Sequence, residues 1–192
     1  MRGYQLLADI DGVGAGRIGQ QAFLLAADEA LSGEDASYQP LTHLALHQGR
    51  LGGEDEALAF QQLAAQIGYL RLRGYRLAME RSGLRSSIAL VNPATGAVAL
   101  TLPAKHPGRL FGGGGSVKTL LAAARALPPA GPPPDLQRPE LLSQTLLALA
   151  IGDESTTGAQ AAELADQALE ILRADSTLDP AAALEQAKRQ AG

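Results

Sequence analysis

The sequence predicts an α+β fold: a small antiparallel sheet of three to four strands packed with helices, followed by a C-terminal helical tail. Three observations carry that expectation. Helical apolar spacing marks the flanks, a strand pair brackets a turn rich in proline and glycine near the middle, and a proline-rich stretch precedes three alanine- and leucine-rich segments. A length of 192 residues with 46% hydrophobic content is enough for one compact core with an appendage. The expected division is an α+β domain over residues 1–127, a proline-rich linker over 128–139 and a helical tail over 140–192.

Residues 15–31 form the first expected helix, with Ile18, Ala22, Leu25 and Glu29 at a loose helical period and Gly33 past the end. Residues 32–38 read as a loop. Leu41 to Leu46 alternates apolar and polar residues as a short strand does, and Gly49 to Gly53 interrupts the chain. Glu54, Asp55 and Glu56 then open a second helix through Ile67, acids at a helix start being favoured by the backbone dipole. Arg71 to Met79 reads as a strand, with a turn at Ser82-Gly83.

Ser87–Val91 and Ala97–Leu102 predict a hairpin across Asn92-Pro93-Ala94-Thr95-Gly96, where proline sets φ and glycine supplies a positive φ. Ile88 and Leu90 share one face of it, as do Val98, Leu100 and Leu102. A loop over 103–109 leads to Gly112–Gly115, Ser116 and a helix from Val117 to Leu127. Pro128 to Pro139 holds six prolines, a composition that favours extended chain. The tail helices are expected at Glu140–Ile151, Thr157–Arg173 and Asp179–Gln190. The last of these has a capping aspartate followed by proline at the first helical position.

Charge is distributed unevenly along this chain. Residues 71–125 contain nine Lys and Arg residues against Glu80 alone, a balance of +8, whereas residues 1–70 and 126–192 each balance to −6. Clustered cations repel one another unless acids from elsewhere or a bound anion offset them. Thirteen of the sixteen basic residues are arginine, the side chain suited to bidentate phosphate contacts. The same arginines could instead pair with the acidic flanks inside the fold.

Other composition features narrow the chemistry. Cysteine is absent, which removes disulfides and thiolate chemistry. His43 and His47 stand four apart, but no glutamate lies between them in the zinc-protease pattern, so no metal and no cofactor are expected. No run reaches the roughly 20 apolar residues that cross a bilayer, and Asp9 and Asp11 interrupt the amino-terminal region where a signal peptide is apolar. A soluble, cytoplasmic protein with no membrane partner is the expectation.

Several short motifs resemble known families. Gly14-Ala15-Gly16-Arg17-Ile18-Gly19 resembles the dinucleotide-binding fingerprint, though no acidic residue occupies the ribose position. Ala8-Asp9-Ile10-Asp11-Gly12-Val13 resembles the first motif of haloacid-dehalogenase-type phosphatases, which implies Asp9 as nucleophile and Asp11 as proton carrier. The overlapping run Ile10-Asp11-Gly12-Val13-Gly14 resembles the helix-hairpin-helix element, which offers backbone amides to DNA phosphates. Gly112 to Thr119 resembles a phosphate loop with Lys118 and Thr119 in place, but Val117 replaces its second glycine. The strands and helix start that precede Lys118 also resemble, across residues 54–127, a double-stranded-RNA-binding domain.

The leading functional expectation is sequence-independent binding of DNA or RNA. Phosphates would meet Arg71, Arg73, Arg76, Arg81, Arg85, Lys105, Arg109 and Lys118, with amides near Ser116 assisting. Tyr69, Tyr75 and Phe111 are the nearby aromatics able to stack on bases. One alternative is an interaction or assembly protein that contacts partners, or its own copies, through the C-terminal helices. Another is a phosphoryl-transfer enzyme using Asp9 and Asp11; the first two readings assign no catalytic residue.

Overall fold

A computed structural model describes residues 18–32, 36–82, 85–103, 122–131, 139–151 and 156–192. The elements are α1 (Gln20–Ala30), α2 (Gln39–Gly52), α3 (Glu54–Leu72), β1 (Arg76–Ser82), β2 (Arg85–Val91), β3 (Val98–Pro103), α4 (Pro139–Ile151), α5 (Gly158–Ala174) and α6 (Pro180–Ala191). The α+β class is therefore as expected, with a three-stranded antiparallel sheet in the order β1-β2-β3.

The largest departure from expectation is α2. Leu41 to Leu46 is helical, because Pro40 opens the element and Leu41, Leu44, Ala45 and Gln48 point inward at helical spacing. The short apolar–polar alternation sampled less than two turns of that period. A second departure follows from α3, which continues to Leu72, past Ile67. Arg71 consequently lies in the last helical turn and the strand begins only at Arg76. Gly74, at φ +85°, turns the chain between them, and its missing side chain lets the backbone of Gly131 approach.

In the sheet, Leu77 faces Leu90 and Leu90 faces Leu100, which puts these leucines on one face. Leu77, Ile88 and Leu90 are buried there, and Leu100 packs against the same cluster. The hairpin turn forms as expected, with Gly96 at φ +70° and Asn92 Oδ1 accepting from the Ala94 amide. A register shift between Leu90 and Val91 sets Val98 opposite Val91. Val98 is thereby exposed and is not part of the apolar face that simple alternation predicts.

Helix α3 is the central element. Phe60, Ala64, Ala65, Ile67, Gly68, Tyr69 and Leu70 are all buried, so this helix is covered on several sides. It packs against α2, α1, α4 and α6, and Phe23 of α1 meets Phe60 edge-on with ring centroids 4.7 Å apart. A second apolar cluster joins α4, α5 and α6 through residues such as Leu142, Leu146, Leu172 and Leu184. Its helices start as their sequences direct: Thr157 and Gln160 form a capping box, and Asp179 accepts from the Ala181 amide at 2.9 Å ahead of Pro180.

The two clusters meet where α4 crosses α3 at Gly68. Tyr38 Oη lies 3.0 Å from Thr145 Oγ1, and Thr145 donates its own proton to the Leu141 carbonyl at 2.8 Å. The tyrosine hydroxyl is therefore the donor to Thr145. A β-carbon on Gly68 would stand 1.7 Å from Tyr38 Oη and 3.0 Å from Thr145 Oγ1. Gly68→Ala is expected to lower unfolding free energy by ~1–3 kcal/mol through overpacking, read as a lower urea midpoint. Tyr38→Phe in the same chain should recover part of that loss; equal midpoints for wild type and Gly68→Ala would refute this account of the crossing.

Candidate functional site

Two regions carry the polar and apolar features relevant to function. The first is the described part of the basic segment. Arg73, in the turn after α3, is only 7% exposed. Its Nη1 donates to the Arg125 carbonyl at 2.9 Å, its Nη2 donates to the Leu127 carbonyl, and its Nε lies 3.2 Å from Asp179 Oδ2. The guanidinium carbon also sits 5.3 Å from the centre of the Tyr69 ring. A buried guanidinium needs such partners because its desolvation costs several kcal/mol.

Asp179 has three tasks at this node. It caps α6, it balances Arg73, and both its carboxylate oxygens accept from the Tyr69 hydroxyl, at 3.0 and 3.1 Å. Burial, then the adjacent Asp179 charge, pushes the Tyr69 phenol up to about 12. Nearby, Tyr75 Oη donates to the Pro128 carbonyl at 2.7 Å, and the Ala130 amide donates to the Arg73 carbonyl at 2.8 Å. The start of the proline-rich stretch is thus fastened to the turn between α3 and β1.

Arg71 and Arg76 converge on Asp28 of α1. Asp28 lies 3.9 Å from the Arg71 guanidinium and 3.3 Å from that of Arg76, and it accepts from the Leu77 amide at 3.1 Å. Burial is the largest influence on Asp28 and lifts its carboxyl above the usual range, while the Leu77 amide and the two arginines pull it back. One buried carboxylate thereby ties α1 to the end of α3 and the start of the sheet.

The other expected phosphate-binding positions distribute as follows. Arg81 and Arg85 fall on β1 and β2, but their side chains lie outside the described residues, as do Lys105, Arg109, Ser116 and Lys118. Asp9 and Asp11 also lie outside them, together with the motifs of residues 8–19 up to Arg17 and of residues 112–119. Arg71, Arg73 and Arg76 are not brought together on one open face: Arg73 points into the seam with α6, and the other two flank Asp28. His43 is exposed on α2, and among the described residues no three His, Asp or Glu side chains gather as a metal site would require.

The second region is a cleft of about 250 Å³ between α2, α3 and α4. Tyr38, Leu41 and Thr42 line it from α2 and the residue before it, Leu58, Gln61, Gln62 and Ala64 from α3, and Gln144, Leu147, Ala148 and Ile151 from α4. Among these described lining residues there is no carboxylate, lysine, arginine or histidine. Leu58 is 37% and Ile151 43% exposed at one end, and Leu46, on the Thr42 side of α2 one turn further on, is 48% exposed. The sequence reading missed this cleft because it took residues 41–46 for a strand. Its available signal was the set of leucines at 46 and 58, which stand apart from the inward stripes of their helices.

Two stability measurements test the Arg73 and Asp28 contacts. Arg73→Lys should cost ~2–4 kcal/mol, because a lysine keeps the charge but cannot reach both carbonyls and Asp179 in one plane; a loss below that of Arg76→Lys would remove Arg73 from the seam's framework. For Asp28, the folded carboxyl binds its proton at higher pH than the unfolded one. Wild type should therefore gain stability relative to Asp28→Asn as pH falls from neutral toward 3.8, the ordinary aspartate value, and the gain should level off below it. Urea titrations of both chains across that range test the sign, and a relative loss on acidification would contradict it.

No protein-family model, curated protein or solved structure matches this chain, so its functional reading rests on the residues and geometry above.

Proposed function

We propose that this chain is a protein-interaction or assembly protein that docks a partner in the cleft between α2, α3 and α4. The observation that carries the reading is the cleft itself, a concave apolar surface without lining charge and with leucine and isoleucine side chains exposed at its mouth. Isolated exposed leucines are ordinary on protein surfaces. Leu58 and Ile151 differ in that both line one concavity contributed by three helices.

The disposition of the arginines supports the same reading. Arg71, Arg73 and Arg76 have carboxylate or carbonyl partners within the fold, so each would have to exchange an internal contact for a phosphate. Nucleic-acid binding would then depend on Arg81, Arg85, Lys105, Arg109 and Lys118. Protein docking requires no such exchange, since Leu58 and Ile151 of the cleft are already exposed.

The test places a photo-cross-linking phenylalanine analogue at Leu58 in the full chain, expressed in the cells that make it, with Ala162 on the exposed side of α5 as control. A discrete protein adduct from position 58 and none from 162 is expected, and it should vanish when Ala148→Trp fills the cleft. Adducts of equal yield from both positions, or none from 58, would overturn protein docking. In parallel, a labelled oligonucleotide at low salt should show no binding that Arg81→Glu, Arg85→Glu and Lys118→Glu together abolish. Salt-sensitive binding lost in that triple variant would return the function to nucleic acid.

A further inference from the structure

We infer that the occupant of the cleft is a single amphipathic helix of another protein, which inserts apolar side chains one turn apart and carries a basic residue beyond them. This rests on the protein-docking reading and adds the chemistry of the partner.

Volume limits what can enter. The cleft holds about 250 Å³, whereas an engineered apolar cavity of ~150 Å³ is enough to take up benzene. The space thus suits two aliphatic side chains, the number that one helix presents from positions i and i+4. Apart from Tyr38 the described walls are helical, so among the described residues the cleft offers no strand edge with which an extended peptide could pair. An apolar ridge laid between helices is the mode this surface matches.

Charge decides the character of each part of the occupant. A charged group inserted among Leu41, Leu58, Leu147 and Ile151 would be desolvated without an opposite charge, at a cost of several kcal/mol. The inserted residues are therefore apolar. At the Leu58 end the situation reverses: Glu54 and Asp55 are exposed on α3 one turn before Leu58 and on its side of the helix. Among the described exposed residues here, these two carboxylates outnumber the one guanidinium, Arg50 near the end of α2, a net negative balance. A lysine or arginine one turn beyond the apolar pair would complement it.

A second copy of this chain fits less well. Apart from Leu58 and Ile151, the large exposed apolar residues among those described are Leu46 and Leu51 on α2 and Val98 on β3. Leu46 and Leu51 stand five residues apart and Val98 lies on a separate element, so they do not form a ridge at helical spacing.

A displayed library of helical peptides, selected on the full chain and counter-selected on Ala148→Trp, tests the inference. Enriched sequences should share apolar residues at i and i+3 or i+4, with Lys or Arg about one turn away. Their affinity should fall at least about tenfold in Leu58→Glu, a change at an exposed position that the fold tolerates. Glu54→Lys with Asp55→Lys should lower it severalfold and remove its salt dependence. Peptides that bind Ala148→Trp and Leu58→Glu as well as wild type would overturn the inference. Enrichment of peptides without helical apolar spacing would do so too, as would concentration-dependent self-association abolished by Leu58→Glu. If no peptide enriches while the cross-link from position 58 persists, the helical partner is wrong and protein docking stands. Loss of both would remove the two together.

Discussion

Arg73 stands where three parts of the chain must meet: the end of the central helix, the short helical turn at 122–125 with its exit, and the start of the last helix. A guanidinium is costly to leave unsolvated in such a place, and protein groups take most of the positions water would have filled. Two carbonyls take its Nη groups, Asp179 faces its Nε, and the Tyr69 ring covers its plane. Each of these partners has a fixed position only if its own element is folded. Asp179 is held as the cap of α6, and the Arg125 and Leu127 carbonyls belong to a short helical turn and its exit. The node consequently makes the placement of the C-terminal helices and of residues 125–130 conditional on the end of α3. A purely apolar seam would bury the same elements with less dependence on their register, because apolar contact has no preferred direction.

Asp28 imposes a matching constraint at the other side of the same turn. Its carboxylate receives the first strand through the Leu77 amide and receives α3 through Arg71. Arg71, Arg73 and Arg76 alternate between these two anchors, so the chain leaving α3 is gripped from both flanks. The acids come from the N-terminal and C-terminal thirds, and the cations come from the middle third. The charge separation along the sequence is thus reduced in the described part of the fold by contacts between distant segments.

That outcome explains which features were readable in advance. The Asn92–Gly96 turn and the Asp179-Pro180 helix start are local: each depends on residues within a few positions, and each formed where expected. The identity of Leu41–Leu46 was not local, since six residues of alternation fit a strand until Pro40 is read as a helix start and Gln48 is counted in the inward helical stripe. The exposure of Val98 depended on a bulge that no periodicity announces. Arginine function was least readable of all. Whether Arg73 meets a phosphate or Asp179 is decided by how a helix more than one hundred residues later docks, and the spacing of arginines contains no information on that.

The cleft follows from the way the helices are held. Gly68 brings α4 close to α3 at Thr145, where Tyr38 closes the junction with a hydrogen bond. From that crossing the lining residues run toward Leu58 on one helix and Ile151 on the other, where large apolar side chains meet water. The close contact at one end and the exposed apolar side chains at the other are consequences of the same arrangement. Exposure of this kind is unfavourable by roughly 25 cal/mol per Å² of apolar surface, and a polar substitution at Leu58 or Ile151 would relieve it without disturbing the Gly68 crossing. The chain keeps apolar residues at both positions, on two separate helices that face one concavity. On the docking reading proposed above, one partner surface would cover the apolar side chains of both walls and face Glu54 and Asp55 beside the mouth.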